Sequence, residues 1–220
     1  MFRVVEKFVS INGEGCCAGK LACFIRFAGC NLNCSYCDTG WANAQDVDYE
    51  TMSAEQIKTY IEKKKVDCVT ITGGEPMLQP DIRTLLYKLS ENPMLRVEVE
   101  TNGSIGIDEY ENRPDNLCFT LDYKLPGSGM EENMRTDNYA FLKKQDAVKF
   151  VVCHRQDLER AKEIIRTYRL TKQCQVFLSS AFEEITPAEI VEYMIQENLK
   201  DLRIQLQMHK YIWDPNKKGV

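Results

Sequence analysis

The chain has 220 residues, enough for one domain with a full apolar core, and 1–220 is read as that single domain. Its net charge of -5, from 28 Lys and Arg against 33 Asp and Glu, argues against a duplex nucleic-acid binder, which needs a basic face. No apolar run reaches the roughly eighteen residues that span a membrane, and MFRVVEKFVSINGEG lacks a signal peptide's long apolar segment, so the expected location is cytoplasmic, with most of the ten cysteines reduced.

A lead-in strand near Val4–Val9 precedes the first core strand, Cys23–Phe27. Ser53 with Gln56 forms a capping box that opens a helix with Ile57, Tyr60 and Ile61 on one face. Lys63-Lys64-Lys65 closes it, where positive charge suits the helix dipole. Strand Cys68–Thr72 comes next, then a helix opened by Asp81 with Ile82, Leu85, Leu86 and Leu89 at helical spacing. Strands Arg96–Glu100, Leu117–Asp122 and Ala147–Val152 follow. Asp157 opens a helix carrying Leu158, Ala161, Ile164, Ile165 and Tyr168. After strand Gln175–Ser179, Thr186-Pro187-Ala188-Glu189 combines an N-cap, a first-turn proline and an acidic capping partner, with Ile190, Val191, Met194 and Ile195 as the apolar face. Leu202–Leu206 is the last strand.

Strands alternating with helices imply a parallel sheet with crossover helices. About six such units fall short of the ~250 residues of a closed eight-unit barrel. A doubly wound sheet and an incomplete barrel both fit, and either places the active site at the C-terminal ends of the strands. The informative segments stand there: GCNLNCSYCDT after the first core strand, TGGEP after the second, TNGS after the third and DYKLPG at the fourth.

Cys30, Cys34 and Cys37 form C-x3-C-x2-C, three thiolates on one tight loop. Structural zinc normally takes four ligands from two paired knuckles, and no second pair is present. Three cysteines without an evident fourth ligand fit a [4Fe–4S] cluster with one iron left open.

This spacing, with Tyr36 before the last cysteine and Thr72-Gly73-Gly74-Glu75-Pro76 downstream, resembles the radical S-adenosylmethionine superfamily. The glycines are expected where backbone must approach a ligand closely. Asn12-Gly13-Glu14-Gly15, Phe24 to Leu32, Cys37-Asp38-Thr39, VETNGS, LDYKLPGSGM and LQMHKYIW resemble the 7-carboxy-7-deazaguanine synthase family, from about Val4 to Trp213.

The resemblance implies an incomplete (β/α)6 barrel with an extra N-terminal strand. It implies a radical lyase that converts 6-carboxy-5,6,7,8-tetrahydropterin to 7-carboxy-7-deazaguanine, with S-adenosylmethionine, Mg2+, a low-potential donor such as flavodoxin or ferredoxin, and a homodimer. By position, Cys30, Cys34 and Cys37 would hold the cluster. Tyr36, Cys37, Asp38, Gly74, Asp122, Tyr123 and Lys124 would lie along S-adenosylmethionine, and Thr39 would give Mg2+ a hydroxyl oxygen. Arg26 would grip the substrate carboxylate bidentately, with Ile11, Asn12, Gly13, Thr72 and Pro215 also on the substrate. The chain departs from the family's common Gln at Asn12 and from Ser-Pro-Lys at Asp122-Tyr123-Lys124, and Leu178–Ala181 is the approximate counterpart of Gln-Pro-x-Asp.

Other residues have blander readings. Glu98 and Glu100 alternate with Val97 and Val99, so they line either a solvated sheet face or the site, and the following TNGS favours the site. His209 reads as a satisfied strand-end histidine and His154 as a loop residue. Cys23, Cys68, Cys118, Cys153 and Cys174 read as small hydrophobes. Leu125–Met134 reads as a mobile flap. A glycyl-radical activating enzyme would share the cluster but act on a protein, and a zinc-stabilised binding module would leave GGEP unexplained.

Overall fold

The structure, a computed structural model, describes every residue except Asn216. The described residues form nine strands: β1 (Phe2–Ile11), β2 (Leu21–Phe27), β3 (Glu50–Met52), β4 (Cys68–Gly73), β5 (Arg96–Thr101), β6 (Leu117–Lys124), β7 (Ala147–Val152), β8 (Gln175–Ser180) and β9 (Arg203–Gln205). They make one sheet in the order β3-β1-β2-β4-β5-β6-β7-β8-β9. β1 pairs antiparallel with β2 and β3, and every pair from β2 to β9 is parallel. From β2 onward the spatial order follows the chain, as in a barrel, whereas a doubly wound sheet reverses direction. β3 and β9 remain separate edges, so the sheet is open. β3 has three residues, too few for a periodic signal, and sequence reading missed it.

Helices α1 (Ala54–Lys64), α2 (Ile82–Ser90), α3 (Arg155–Tyr168), α4 (Leu170–Gln173), α5 (Pro187–Gln196) and α6 (His209–Ile212) complete the chain. Both capping boxes form, at Ser53 with Gln56 and at Thr186 with Glu189. α3 begins at Arg155, so Asp157 lies in its first turn. The buried face of α5 is Ile190 and Tyr193, while Val191 and Ile195 face solvent. The cap fixes the helix phase, and 190 and 193 share its inner side.

Not every crossover holds an α-helix. β5–β6 and β6–β7 are bridged by short 3-10 turns at Asp108–Tyr110, Pro126–Ser128, Glu131–Asn133 and Thr136–Phe141. Pro114, Pro126, Gly127 and Gly129 break helical runs there. A buried ion pair takes over the tying role. The fully buried Arg113 guanidinium meets the Asp146 carboxylate and donates to the Tyr110, Leu117 and Phe141 carbonyls. Asp146 also accepts from Phe119 N at 2.8 Å and Lys143 N at 2.6 Å. Burial pushes the Asp146 carboxyl up, against the opposing pull of Arg113.

Alternation divides the sheet into two chemistries. The convex face packs Val69, Ile71, Val97 and Val99 against Ile57, Leu85 and Leu86, and Val148, Phe150 and Val176 against Leu158, Ile164 and Ile190. Each fully buried Leu or Ile contributes roughly 1.5–3 kcal/mol. The concave face carries Thr70, Thr72, Glu98, Thr120, Asp122, Lys149 and Gln205. The β1–β2 loop runs across this trough. Asn12 donates to Thr70 Oγ1 at 3.1 Å and to Glu98 Oε2 at 3.2 Å, Glu14 pairs with Lys149 at 3.3 Å, and Gln205 donates to the Gly15 carbonyl at 3.2 Å. One loop thereby reaches β4, β5, β7 and β9.

Arg113→Met should destabilise the fold by about 3–5 kcal/mol in denaturant unfolding, because it leaves Asp146 buried without its cation. Adding Asp146→Leu should recover part of that loss.

Candidate active site

A cavity of about 760 Å³ opens at the C-terminal end of the parallel strands. The β2–β3 loop brings Cys30, Cys34, Tyr36, Cys37, Asp38 and Thr39 to it. The end of β4 and the residue after it bring Thr72 and Gly74, β6 brings Asp122 and Lys124, β2 brings Arg26, and the end of β1 and the β1–β2 loop bring Ile11, Asn12 and Gly13. Pro215 lines it from the C-terminal segment. Tyr123 is placed elsewhere: its ring packs on Phe150 in the convex core and its hydroxyl donates to Glu131. Strand alternation sends Tyr123 out wherever Asp122 and Lys124 point in.

Gly73 and Gly74 fix how the cysteine loop meets β4. Gly73 has φ +154, and a Cβ there would lie 2.5 Å from the Phe27 carbonyl oxygen. A Cβ on Gly74 would lie 2.2 Å from the Gly29 carbonyl oxygen. Gly74 N donates to Phe27 O at 3.1 Å and Glu75 N to Gly29 O at 2.8 Å. These glycines are thus required by strand-end packing before any ligand approaches. The fully buried Glu75 then accepts from Met77 N at 2.9 Å, Thr101 Oγ1 at 2.7 Å and Asn102 N at 2.7 Å, tying β4 to β5. Burial pushes its carboxyl up to about 7 against those donors.

Asn102 hands this order to the thiols. Its Nδ2 lies 3.5 Å from Cys30 Sγ and 3.1 Å from Asn31 Oδ1, and Leu32 N donates to Cys30 Sγ at 3.4 Å. Ser35 binds Gly127 O at 2.8 Å and Ser128 O at 3.1 Å. The segment expected as a flap therefore sits behind the cysteine loop, with Leu125 and Ser128 buried and none of 125–134 lining the cavity. Asp157 holds it there by accepting from Gly127 N and Cys153 N, both at 2.9 Å.

Cys30, Cys34 and Cys37 are free thiols. Among the described residues they do not form a group with all sulfurs within 4.8 Å of one another. Thiolates on one tetrahedral zinc, with Zn–S near 2.3 Å, would stand about 3.8 Å apart. The wider spacing fits a polynuclear cluster.

The rest of the cavity is a chain of charges. Lys124 Nζ lies 2.6 Å from Asp122, and Lys149 Nζ lies 3.3 Å from both Asp122 and Glu14. The two cations hold the Asp122 carboxyl below the usual carboxylate range despite burial. Glu14 Oε1 and the Tyr36 hydroxyl are buried without partners. Arg26 meets Glu6 through Nε at 3.0 Å. Asn12 uses its N–H and C=O on Lys20 and Gly19 and its amide on the trough, so it straps the loop.

Sequence reading did not place Glu6, Glu14, Lys149, Trp41 or Lys210 at the site, and all line the cavity. Glu6 and Lys149 lie on strands, and period two on Lys149 and Val151 was the available signal. Glu100 lines it as expected, whereas Glu98, read with it, does not. His209 also lines it, from the first turn of α6 rather than a strand, against Gly13. Burial lowers its pKa.

The polar trough, the three-thiol loop and the glycine-locked β4 end are those of a radical SAM enzyme, and the Radical SAM superfamily matches residues 24–122. The chain is 51% identical to the 7-carboxy-7-deazaguanine synthase of Clostridium acetobutylicum over 219 residues, covering all of this chain and 99% of that one. It is 32% identical to the 7-carboxy-7-deazaguanine synthase of Chlorobaculum tepidum, covering 99% and 97%. The crystal structure of QueE from Escherichia coli has the same fold, with a TM-score of 0.72 over 93% of each chain at 20% identity. The chain belongs to the 7-carboxy-7-deazaguanine synthase family.

Glu75→Gln should cost about 1–3 kcal/mol in unfolding experiments, since one amide hydrogen must face a backbone N–H. His209, with its lowered pKa, favours the fold when neutral. Stability relative to His209→Gln should be full above pH ~6.5 and fall as acid protonates the imidazole.

Proposed function

We propose that this chain converts 6-carboxy-5,6,7,8-tetrahydropterin to 7-carboxy-7-deazaguanine with loss of ammonia, on the route to queuosine and related deazapurines. The observation that carries this reading is that one cavity holds both the three-thiol loop and the Arg26 guanidinium. In this reading Cys30, Cys34 and Cys37 hold a [4Fe–4S] cluster, which their spacing and free thiols fit. When bound, the cluster and S-adenosylmethionine would supply radical hydrogen-abstraction chemistry.

The protein's own residues orient and enclose. Asn102 and the Leu32 amide direct donors at Cys30, which stabilises thiolate charge. Tyr36, Cys37, Asp38, Gly74, Asp122 and Lys124, which line the cavity, would flank S-adenosylmethionine, whereas the Tyr123 side chain lies outside it. Thr39 Oγ1 offers Mg2+ one hard oxygen, and its side-chain contact is Cys37 Sγ at 3.8 Å. Arg26 presents its terminal nitrogens to the substrate carboxylate while Glu6 holds Nε. Ile11, Gly13, Thr72 and Pro215 border the pterin, and Asn12 keeps the loop in place. The unpartnered Glu14 oxygen offers an acceptor to the pterin's N–H groups. The reading includes a flavodoxin or ferredoxin donor, a homodimer and a cytoplasmic location.

A protein-activating role is disfavoured, since full-length relatives carry the synthase name and the cavity suits a small molecule.

Anaerobic turnover of the iron- and sulfide-reconstituted protein tests the proposal, with dithionite, S-adenosylmethionine, Mg2+ and 6-carboxytetrahydropterin. Mass spectrometry should show a deazaguanine carboxylate without proportionate loss of S-adenosylmethionine. Uncoupled 5′-deoxyadenosine alone would refute the substrate. Arg26→Lys should raise KM roughly 10–100-fold with iron content unchanged, the worth of a lost charge-assisted contact. Thr39→Ala with an intact cluster should be inactive, and full activity would remove the Mg2+ role.

A further inference from the structure

A second thiol cluster lies at the other end of the trough. Cys17, Cys68 and Glu98 bring two sulfurs and a carboxylate oxygen within 4.8 Å of one another. All three residues are buried, at 3%, 2% and 1% exposure. None lines the active-site cavity. Cys68 opens β4, four residues before Thr72, or about 13 Å of strand away from it.

Packing alone accounts for buried cysteines, which behave as small hydrophobes, but not for a carboxylate set between them. Glu98 is already oriented, by Thr120 Oγ1 at 2.8 Å on one oxygen and by Asn12 Nδ2 at 3.2 Å on the other. Such outer contacts are what metal-ligating carboxylates carry. Arg96 stands close enough to interact with both Cys17 and Glu98, and its Nε is buried without a partner. The charges then close: two thiolates and a carboxylate balance one divalent ion and the Arg96 guanidinium.

The geometry points to a structural site for a borderline-soft divalent cation of the zinc type, held by Cys17, Cys68 and Glu98. Two sulfurs with one oxygen are a donor set that zinc accepts. The Thr70 hydroxyl, opposite Glu98 in the β4–β5 register and 3.1 Å from the Asn12 Nδ2 that also donates to Glu98, can supply the fourth ligand. Such an ion staples the β1–β2 loop to β4 and β5. The same loop carries Asn12 and Gly13 into the active site, so the ion fixes one wall of that site from behind.

The test uses the cluster-loaded protein, in which Cys30, Cys34 and Cys37 are occupied by iron. It is equilibrated with Zn2+, freed of excess ion, and examined by elemental analysis and zinc-edge X-ray absorption. One zinc per chain with two sulfur neighbours at about 2.3 Å and the rest oxygen or nitrogen is expected. Cys17→Ser and Cys68→Ser should each remove one sulfur or the zinc itself, with iron unchanged. Absence of retained zinc would overturn the proposal, as would three sulfur neighbours, which would place the ion on the cluster loop. A Cys17–Cys68 disulfide found by non-reducing mass analysis would also overturn it. The unsubstituted protein decides the matter even if a variant fails to fold.

Discussion

A sheet that buries polar groups on its concave face must either find them partners or carry the cost, and the rest of this structure depends on that. An unpartnered buried donor or acceptor costs about 1–3 kcal/mol, a large share of a domain's net stability. Glu98, Thr70, Lys149 and the Gln205 amide nitrogen are matched by the single loop between β1 and β2. Asn12 answers two strands at once. The loop that borders the cavity is therefore ordered by the need to satisfy the trough beneath it.

The second constraint is the close approach of β2 and β4 at their C-terminal ends. Cβ atoms at Gly73 or Gly74 would overlap the Phe27 or Gly29 backbone. With hydrogens there, the cysteine loop descends directly beside GGEP, and Glu75 carries the order to Thr101 and Asn102. Asn102 in turn faces Cys30. Glycine, glutamate and asparagine act as one relay that positions a thiol.

The two crossovers without α-helices support the same loop from the other side. Pro126–Ser128 receives Ser35, and Asp157 on α3 receives Gly127. The buried Arg113–Asp146 pair substitutes for the packing that absent helices would have given. A loop held by main-chain contacts on one side and by Asn102 on the other has little freedom. That suits a site whose groups must keep a fixed position relative to a bound substrate.

The sequence by itself determined eight of the nine strands to within a few residues, the four long helices and the three-thiol loop. These depend on local signals: period two, capping boxes and cysteine spacing. Alternation with Val97 and Val99 also put Glu98 and Glu100 on one polar face, but only the structure decided that Glu100 lines the cavity and Glu98 does not. Only the tertiary structure decided that Tyr123 points away, that 125–134 backs the cysteine loop, and that His209 enters the cavity from a helix. It alone joined Arg113 to Asp146 and Lys149 to Glu14, separated by 135 positions in the chain. Those contacts are set by which strand lies beside which, and one sequence carries no local record of that pairing.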